Sequence, residues 1–182
     1  QILAQRDAHG LPLGPVVIAG DSAGANLALA TMLHEIDAGR EVPVGGLLFY
    51  GVFGADFETP SYQTFADAQM LTRPIMQQLW DWYVPEVSRR DDPLAAPNNA
   101  NDDQLRALPP LFLVVAEVDP LASDSLELKR RLDSLGRDDG LWVEQGVVHG
   151  FMQMTAVLEA ARRTMREAGK AVRAFIVKTP RT

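Results

Sequence analysis

Three residues of the types that cooperate in nucleophilic catalysis occur in the order serine, aspartate, histidine. Ser22 is the centre of the pentapeptide GDSAG at 20–24, which fits the pattern G-x-S-x-G. Asp119 begins an Asp-Pro-Leu segment, and His149 is followed by Gly-Phe. A histidine oriented by a carboxylate can take the proton of a serine hydroxyl, which then attacks an acyl carbon. The predicted roles are therefore Ser22 as nucleophile, His149 as base and Asp119 as acid.

The GDSAG pentapeptide is expected to form a sharp turn between a strand and a helix. A nucleophile at such a turn adopts strained backbone angles, and Gly20 and Gly24 are expected to prevent steric clashes on its two sides. The helix begins at this point with unpaired N–H groups, so the Ala23 N–H is the predicted oxyanion donor. Asp21 is expected to support the turn, although a solvated turn residue would leave the same pattern.

Asp119 and His149 are ambiguous when each is considered alone. An Asp-Pro pair is common in turns, and a lone histidine is more often structural than catalytic. The chain has three histidines, of which His9 falls in a leading loop and His34 on the surface of a predicted helix. Together with Ser22, however, the two residues follow the chain order of α/β-hydrolases, and each comes just after a predicted strand. We therefore expect the three side chains to converge on one edge of a sheet.

The hydropathy pattern predicts the parallel sheet that such convergence requires. Short apolar runs of strand length occur at Val16–Ala19, Val44–Tyr50 and Leu111–Ala116, and a fourth strand, interrupted by Gly146, is predicted at Leu141–Val148. Helices are predicted at Ala25–Ala38, Arg73–Val84, Ser123–Leu135 and Met154–Val177. Strands that alternate with helices indicate the α/β class, with a parallel sheet and helices on both of its faces.

A long insert, Gly51–Pro110, separates the second and third predicted strands. Its helix is unusually aromatic, which either a substrate lid or an ordinary core would explain. The polar stretch Arg89–Asp103 is predicted to be a solvated loop, because its aspartates lack the spacing of a calcium-binding loop. The predicted substrate-pocket residues are Trp80, Tyr83, Leu121 and Phe151.

The three motifs resemble those of the bacterial hormone-sensitive-lipase-like esterases. The segment GDSAGANLA at 20–28 is close to that family's usual GDSAGGNLA, and the later LPP, DPL and HGF segments match the rest of its second half. The resemblance implies an α/β-hydrolase fold and a cofactor-free, short-chain carboxylesterase in which Asp119 is the triad acid. It also implies that Phe57–Val87 contributes to a cap over the acyl pocket. Asp124 belongs to the same pattern, and we interpret it as a helix-start residue.

The family's His-Gly-Gly-Gly segment, which supplies further oxyanion donors, has no counterpart before Val16. We therefore expect residues 1–182 to be a partial α/β-hydrolase domain. It would hold the C-terminal half of the fold, with about four strands, flanking helices and part of the cap. The strand Val16–Ala19 would then lie at an edge of the sheet. We expect it to find a partner, either the missing N-terminal half or a second copy of the chain, or else to aggregate.

Composition restricts the ligands and partners. The net charge of −7 disfavours nucleic acid and anionic membranes as partners. Cysteine is absent, which excludes disulfides and thiolate metal sites and leaves the cytoplasm as the default location. No apolar run approaches the roughly 18 residues needed to span a bilayer. We expect a small-molecule ester as substrate, no metal, no cofactor, no nucleic acid and no stable membrane association.

Other functions are compatible with the same residues. An amidase or deacetylase could use the same triad, because the triad does not distinguish the leaving group. A non-catalytic binding protein on a hydrolase scaffold, or an inactive fragment, are alternatives from other classes. The intact set of Ser22, Asp119 and His149 favours a serine esterase with lipase-like relatives.

Overall fold

A computed structural model describes residues 5, 7–10 and 14–178 of the 182-residue chain. Four parallel strands of this part form a sheet whose spatial order equals the chain order. The strands are β1 (Val17–Asp21), β2 (Gly45–Phe49), β3 (Leu111–Val118) and β4 (Gly140–Val148). The α/β class and the four predicted strands are thereby confirmed.

Helices cover both faces of the sheet. They are α1 (Ala23–Asp37), α2 (Pro60–Thr64), α3 (Arg73–Tyr83), α4 (Asp102–Ala107), α5 (Ala122–Ser134) and α6 (Glu159–Lys178). Short 3₁₀ turns occur at Asp7–His9, Val87–Arg89, Pro97–Asn99 and Phe151–Met154. Within the described residues, no helix is both long enough and apolar enough to cross a bilayer.

Alternate residues of each strand contact different helical layers, as the pleat of a strand requires. Leu48 of β2 packs in a cluster with side chains of α1 and α5. Its neighbours Leu47 and Phe49 pack in a second cluster with α6. On α6, the residues buried against the sheet include Ala168 and Phe175, which are spaced seven apart and so lie on one helical face. Strands β2 and β3 are apolar on both faces, which explains why they appear in the sequence as nearly continuous apolar runs.

The insert between β2 and β3 has its own small core, which the sequence only partly predicted. Val52, Leu71, Met76 and Trp80 are among its buried residues. Helix α3 begins where predicted, because the Thr72 hydroxyl caps it by accepting the Ile75 N–H at 3.3 Å. This cluster joins the aromatic helix to the segment that follows β2.

Two predictions for irregular segments were wrong in part. Arg89–Asp103 is only in part a solvated loop, because Ala96 and Ala100 are buried and the Asn98 N–H donates to the Phe53 carbonyl at 2.8 Å. Two of its polar side chains bond to distant backbone groups, Arg90 to the Val84 carbonyl and Asn98 to the Asp124 carbonyl, whereas its aspartates are exposed. The last helix begins at Glu159 rather than Met154, because a 3₁₀ turn precedes it, and it continues through Gly169 without a break.

Strand β1 pairs only with β2 among the described strands, so it lies at an edge of this sheet. An edge strand presents unpaired N–H and C=O groups along its open side. The expected association of this edge with another half or another copy stays a prediction.

A buried carboxylate on β4 connects the sheet to α6. Glu144 is buried and accepts hydrogen bonds from Trp142 Nε1 at 3.0 Å and from the Thr164 hydroxyl at 2.9 Å. Its other oxygen pairs with the Arg163 guanidinium. Because a buried carboxylate is unfavourable without partners, these donors together make the charge tolerable there.

We expect Glu144→Ala to lower the free energy of unfolding by about 1.5–3 kcal/mol, because hydrogen bonds to a charged group are lost and buried donors lose their acceptor. Urea denaturation followed by circular dichroism would measure the change. The matched control is Glu167→Ala on α6, which removes a surface pair with Lys170 and should change the free energy of unfolding by less than about 1 kcal/mol. Equal effects of the two substitutions would contradict the anchoring role.

Candidate active site

The structure brings Ser22, Asp119 and His149 together at the carboxyl edge of the sheet. Ser22 lies between β1 and α1, Asp119 directly follows β3, and His149 directly follows β4. His149 Nδ1 lies 2.7 Å from Asp119 Oδ2, and His149 Nε2 lies 2.9 Å from Ser22 Oγ. The carboxyl ends of parallel strands meet at one edge, so residues far apart in the chain become neighbours there.

The backbone of Ser22 is held in a conformation that L-residues rarely adopt. Its φ is 55° and its ψ is −121°. The Ser22 N–H donates to the Phe49 carbonyl at 2.9 Å, and the Ser22 carbonyl accepts from Ala25 and Asn26 at the start of α1. Such strain costs about 1–3 kcal/mol and persists only where the surroundings determine it.

Only one of the two flanking glycines is sterically required. A Cβ on Gly20 would lie 2.1 Å from the Gly24 carbonyl oxygen, which is a backbone atom that cannot move aside. A Cβ on Gly24 would meet nothing closer than Asp21 Oδ1, at 3.9 Å. The expectation that Gly24 also prevents a clash was therefore wrong, because the space that a Cβ would occupy at that position is open.

The Ala23 N–H is available to a ligand at the start of α1. Within the described residues, this amide donates to no backbone carbonyl, as expected for the first residue of a helix. The N-terminal end of a helix also carries a partial positive charge. Both properties suit the predicted oxyanion donor.

Asp119 is fully buried and has both carboxylate oxygens engaged. Its Oδ1 accepts the Leu121 N–H at 2.9 Å, while Oδ2 faces the imidazole of His149. A carboxylate at Nδ1 favours the tautomer that carries its proton on Nδ1. The lone pair of Nε2 then points to the Ser22 hydroxyl, which is the geometry that a general base needs.

Tyr50 contacts this group of residues, although the sequence analysis did not select it. Its ring packs edge-on against the His149 ring, with centroids 4.9 Å apart, and its backbone φ is 38°. Burial, with the nearby Asp21 carboxylate, raises the pKa of the Tyr50 phenol well above its usual range. The neutral phenol lies 3.4 Å from Asp21 Oδ2, which is the contact the exposed Asp21 makes here. The position of Tyr50 at the end of a predicted strand is the sequence signal that could have identified it as a site residue.

An apolar cavity of about 270 Å³ opens beside the serine. Its polar end is formed by Ser22, Ala23 and Asn26, and the rest is hydrocarbon and aromatic surface. The apolar lining residues are Leu27, Val52, Leu71, Met76, Leu79, Trp80 and Tyr83. The cavity therefore lies between α1 and the aromatic helix α3.

The predicted pocket residues divide into two pairs. Trp80 and Tyr83 line the cavity, Trp80 as a buried wall and Tyr83 as a half-exposed rim. Leu121 and Phe151 do not line it, which corrects the prediction. Leu121 is buried in the core of the insert, and Phe151 is buried against Tyr50 and α6. Adjacency to Asp119 or His149 in the chain did not place these side chains on the cavity side.

Asn26 is a lining residue that the sequence analysis missed. Its amide nitrogen donates to the Val52 carbonyl at 2.7 Å and to the Ala95 carbonyl at 2.8 Å. It thus joins α1 to the insert across the floor of the site. No group of three or more metal-ligating side chains comes together in the part of the chain that the structure describes.

The two glycines of the turn give a matched test. Gly20→Ala should lower the free energy of unfolding by at least about 1–3 kcal/mol, because the added methyl overlaps backbone. Gly24→Ala should leave stability unchanged or raise it by up to about 1 kcal/mol, since alanine is the better helix former. Thermal denaturation of both variants beside the parent chain would measure this, and similar losses in the two variants would refute the steric argument.

Comparison with known proteins gives the same fold. A family profile described as alpha/beta hydrolase fold matches residues 1–153. Carboxylesterase NlhH of Mycobacterium tuberculosis is 35% identical over 150 residues, which are 80% of this chain and 46% of that protein. Esterase LipI of the same organism is 30% identical over 168 residues, which are 92% of this chain and 52% of that protein. The chain thus spans about half the length of the curated relatives it matches.

A solved structure extends the match to nearly all of the chain. The thermostable esterase from Pseudomonas putida ECU1011 superposes with a TM-score of 0.90 at 29% identity, over 96% of this chain and 56% of that one. The family profile covers well over half of the sequence, and the strand order, the turn at Ser22 and these relatives agree with it. The chain therefore belongs to the α/β-hydrolase fold family, as its resemblance to the hormone-sensitive-lipase-like esterases predicted.

Proposed function

We propose that this chain supplies the catalytic residues of a carboxylic ester hydrolase that acts on small or short-chain acyl esters. The observation that carries the proposal is the hydrogen-bonded series from Ser22 Oγ through His149 to Asp119 at the mouth of an apolar cavity. The names of the relatives, carboxylesterase and esterase, support the same reaction class.

In the acylation step, Ser22 Oγ attacks the carbonyl carbon of the ester. His149 Nε2 takes the hydroxyl proton, and the imidazolium that results is stabilised by the Asp119 carboxylate 2.7 Å away. The carbonyl oxygen becomes an oxyanion, to which the Ala23 N–H donates. When the carbon–oxygen bond to the alcohol breaks, His149 returns the proton to the leaving oxygen, and the acyl group remains on Ser22.

In the deacylation step, water takes the place of the alcohol. His149 Nε2 removes a proton from the water, whose oxygen attacks the acyl carbon. The bond to Ser22 Oγ then breaks, the serine oxygen recovers the proton from Nε2, and the carboxylic acid leaves. Asp119 keeps its charge throughout and accepts the hydrogen bond that the Nδ1–H group of His149 donates.

The cavity supports a small organic group as the part of the substrate bound beside Ser22. Its volume of about 270 Å³ is just below the roughly 300–1,000 Å³ typical of drug-sized ligand pockets. An apolar cavity of about 150 Å³ already accommodates benzene. We therefore infer a short aliphatic or single-ring group.

We also propose that residues 57–87 act as part of a cap, that the domain is partial, and that the protein is cytoplasmic.

Removal of the serine or of the histidine should abolish hydrolysis of p-nitrophenyl acetate. Ser22→Ala and His149→Ala each remove a group that acts in both steps, so we expect kcat to fall roughly 10⁴–10⁶-fold where the parent chain is active. For Asp119→Asn, kcat should fall roughly 10⁴-fold, because the amide favours the wrong imidazole tautomer.

The matched control is His34→Ala, since His34 lies exposed on α1. It should keep the parent activity. A fluorophosphonate probe, which bonds to an activated serine, should label the parent chain at Ser22 and leave Ser22→Ala unlabelled. A parent chain that neither turns over ester nor takes the label would reject the proposal and favour a binding protein or an inactive fragment.

The side chains that line the cavity should set the length of the acyl group. Met76 is buried and lines the cavity, so Met76→Ala should shift the preference among p-nitrophenyl esters from acetate and butyrate toward hexanoate and octanoate. Ile75→Ala is the control, because Ile75 is half-exposed and lies outside the cavity. An identical profile for both variants would show that the cavity does not hold the acyl chain.

A further inference from the structure

A second buried carboxylate lies near the site and has no part in the mechanism above. Asp124 is in the first turn of α5 and is 3% exposed. Its Oδ2 accepts two backbone N–H groups, from Phe53 at 2.8 Å and from Gly54 at 2.9 Å. Within the described residues it has no ion-pair partner, so these amides are the donors that face its charge.

The segment that Asp124 holds is bonded directly to the nucleophile turn. The Val52 N–H donates to the Ser22 carbonyl at 3.4 Å, and the Val52 carbonyl accepts from Asn26 at 2.7 Å. Val52 also lines the cavity. A continuous series of contacts therefore leads from the Asp124 carboxylate, through residues 52–54, to the backbone of Ser22.

The same helix start also holds the acid of the relay. Asp119 Oδ1 accepts the Leu121 N–H, and the Leu121 carbonyl accepts the Asp124 N–H at 3.1 Å. The first turn of α5 thus fixes Asp119, which faces His149, and Asp124, which faces the segment beside Ser22. A shift of this turn would move both ends of the relay.

We propose that Asp124 is a positioning residue, whose carboxylate holds the Ser22 turn at its distance from His149 through residues 52–54. The proposal rests on the proposed role of Ser22 as nucleophile. Asp124 touches neither substrate nor reacting atoms, and its effect on the reaction passes through the backbone of the segment it binds.

The charge of Asp124 should be sensitive to pH near neutrality. Burial raises the pKa of this carboxyl from 3.8 to about 7, against the lowering effect of the two amides. The negative charges of Asp119 and Asp56 act in the same direction as burial, and the Tyr62 phenol is the neutral titratable group that faces it. A charged acceptor binds amides more strongly than a neutral one. Protonation at acidic pH should therefore loosen residues 52–54.

Protonation of Asp124 has opposite effects on positioning and on stability. It should loosen residues 52–54, but it favours the folded state over the unfolded state. Because the pKa is raised on folding, the folded state binds the proton more tightly than the unfolded state between about pH 4 and pH 7. The contribution of this group to stability is therefore full at low pH and falls as the pH rises to about 7. Asp124→Asn, which is neutral and of the same shape, should gain stability relative to the parent between pH 5 and pH 8.

The test compares Asp124→Asn and Asp124→Ala with the parent chain between pH 5.5 and pH 8. In the parent, the NMR amide signals of Phe53 and Gly54 should titrate near pH 7, with a smaller change at Val52. Asp124→Asn should abolish this titration. The ratio of parent to Asp124→Asn rates, for ester hydrolysis or for phosphonylation of Ser22, should be several-fold at pH 8 and close to one at pH 5.5. Asp124→Ala should be slower than Asp124→Asn.

The matched control is Asp139→Asn, which changes a buried carboxylate that accepts the Leu111 N–H at 2.8 Å at the opposite end of β3. Its rate ratio to the parent should not change with pH. A pH-independent ratio for Asp124→Asn, or the absence of titration at Phe53 and Gly54, would overturn the proposal.

Failure of the proposed function would be visible separately. If Ser22 of the parent reacts with neither ester nor phosphonate, the catalytic proposal fails and the amide signals alone decide the positioning role. A change in the NMR amide signal of Val52 or Ser22 in Asp124→Asn would then support the positioning role, and unchanged amide signals would overturn it. If Asp124→Ala does not fold, the comparison of Asp124→Asn with the parent is sufficient.

Discussion

The strained backbone of Ser22 is the constraint on which the rest of this structure depends. Nothing in a lone pentapeptide would keep a serine at a φ of 55°. The conformation is held from both sides, by the Phe49 carbonyl of β2 and by the first turn of α1. Close contact between Gly20 and the Gly24 carbonyl then allows strand and helix to meet at that angle. Each neighbouring element can be understood by what it contributes to this turn.

The elements around the turn form two sides of the site: one side carries the relay residues and the other encloses the cavity. Strands β3 and β4 deliver Asp119 and His149, while α3 and the segment after β2 enclose the cavity. Tyr50 belongs to both groups, since it continues β2 and its ring packs against His149. The His149 imidazole, the proposed base, is therefore fixed by packing as well as by its hydrogen bond to Asp119, which limits the orientations that it can take.

The sequence predicted those features that depend on local pattern, and it failed where packing decides. Buried parallel strands are continuous apolar runs, so all four strands were predicted to within a few residues. The convergence of Ser22, Asp119 and His149 follows from chain order and strand ends. Leu121 and Phe151 were misplaced because chain adjacency to a site residue does not tell which way a buried side chain points. The sequence did not predict the hydrogen bonds of Asn26, Tyr50 and Asp124, because their partners lie 26 to 71 positions away in the chain.

The identity of spatial order and chain order in the sheet has a consequence for the growing chain. Each new strand can add to the one before it, so β1, β2 and β3 can assemble while later residues are still being synthesised. His149, the proposed base, however, follows β4 and lies 127 positions after Ser22. A polypeptide that ends before β4 would hold Ser22 in its turn without His149 beside it. The proposed relay of Ser22, His149 and Asp119 could therefore form only after β4 has joined the sheet.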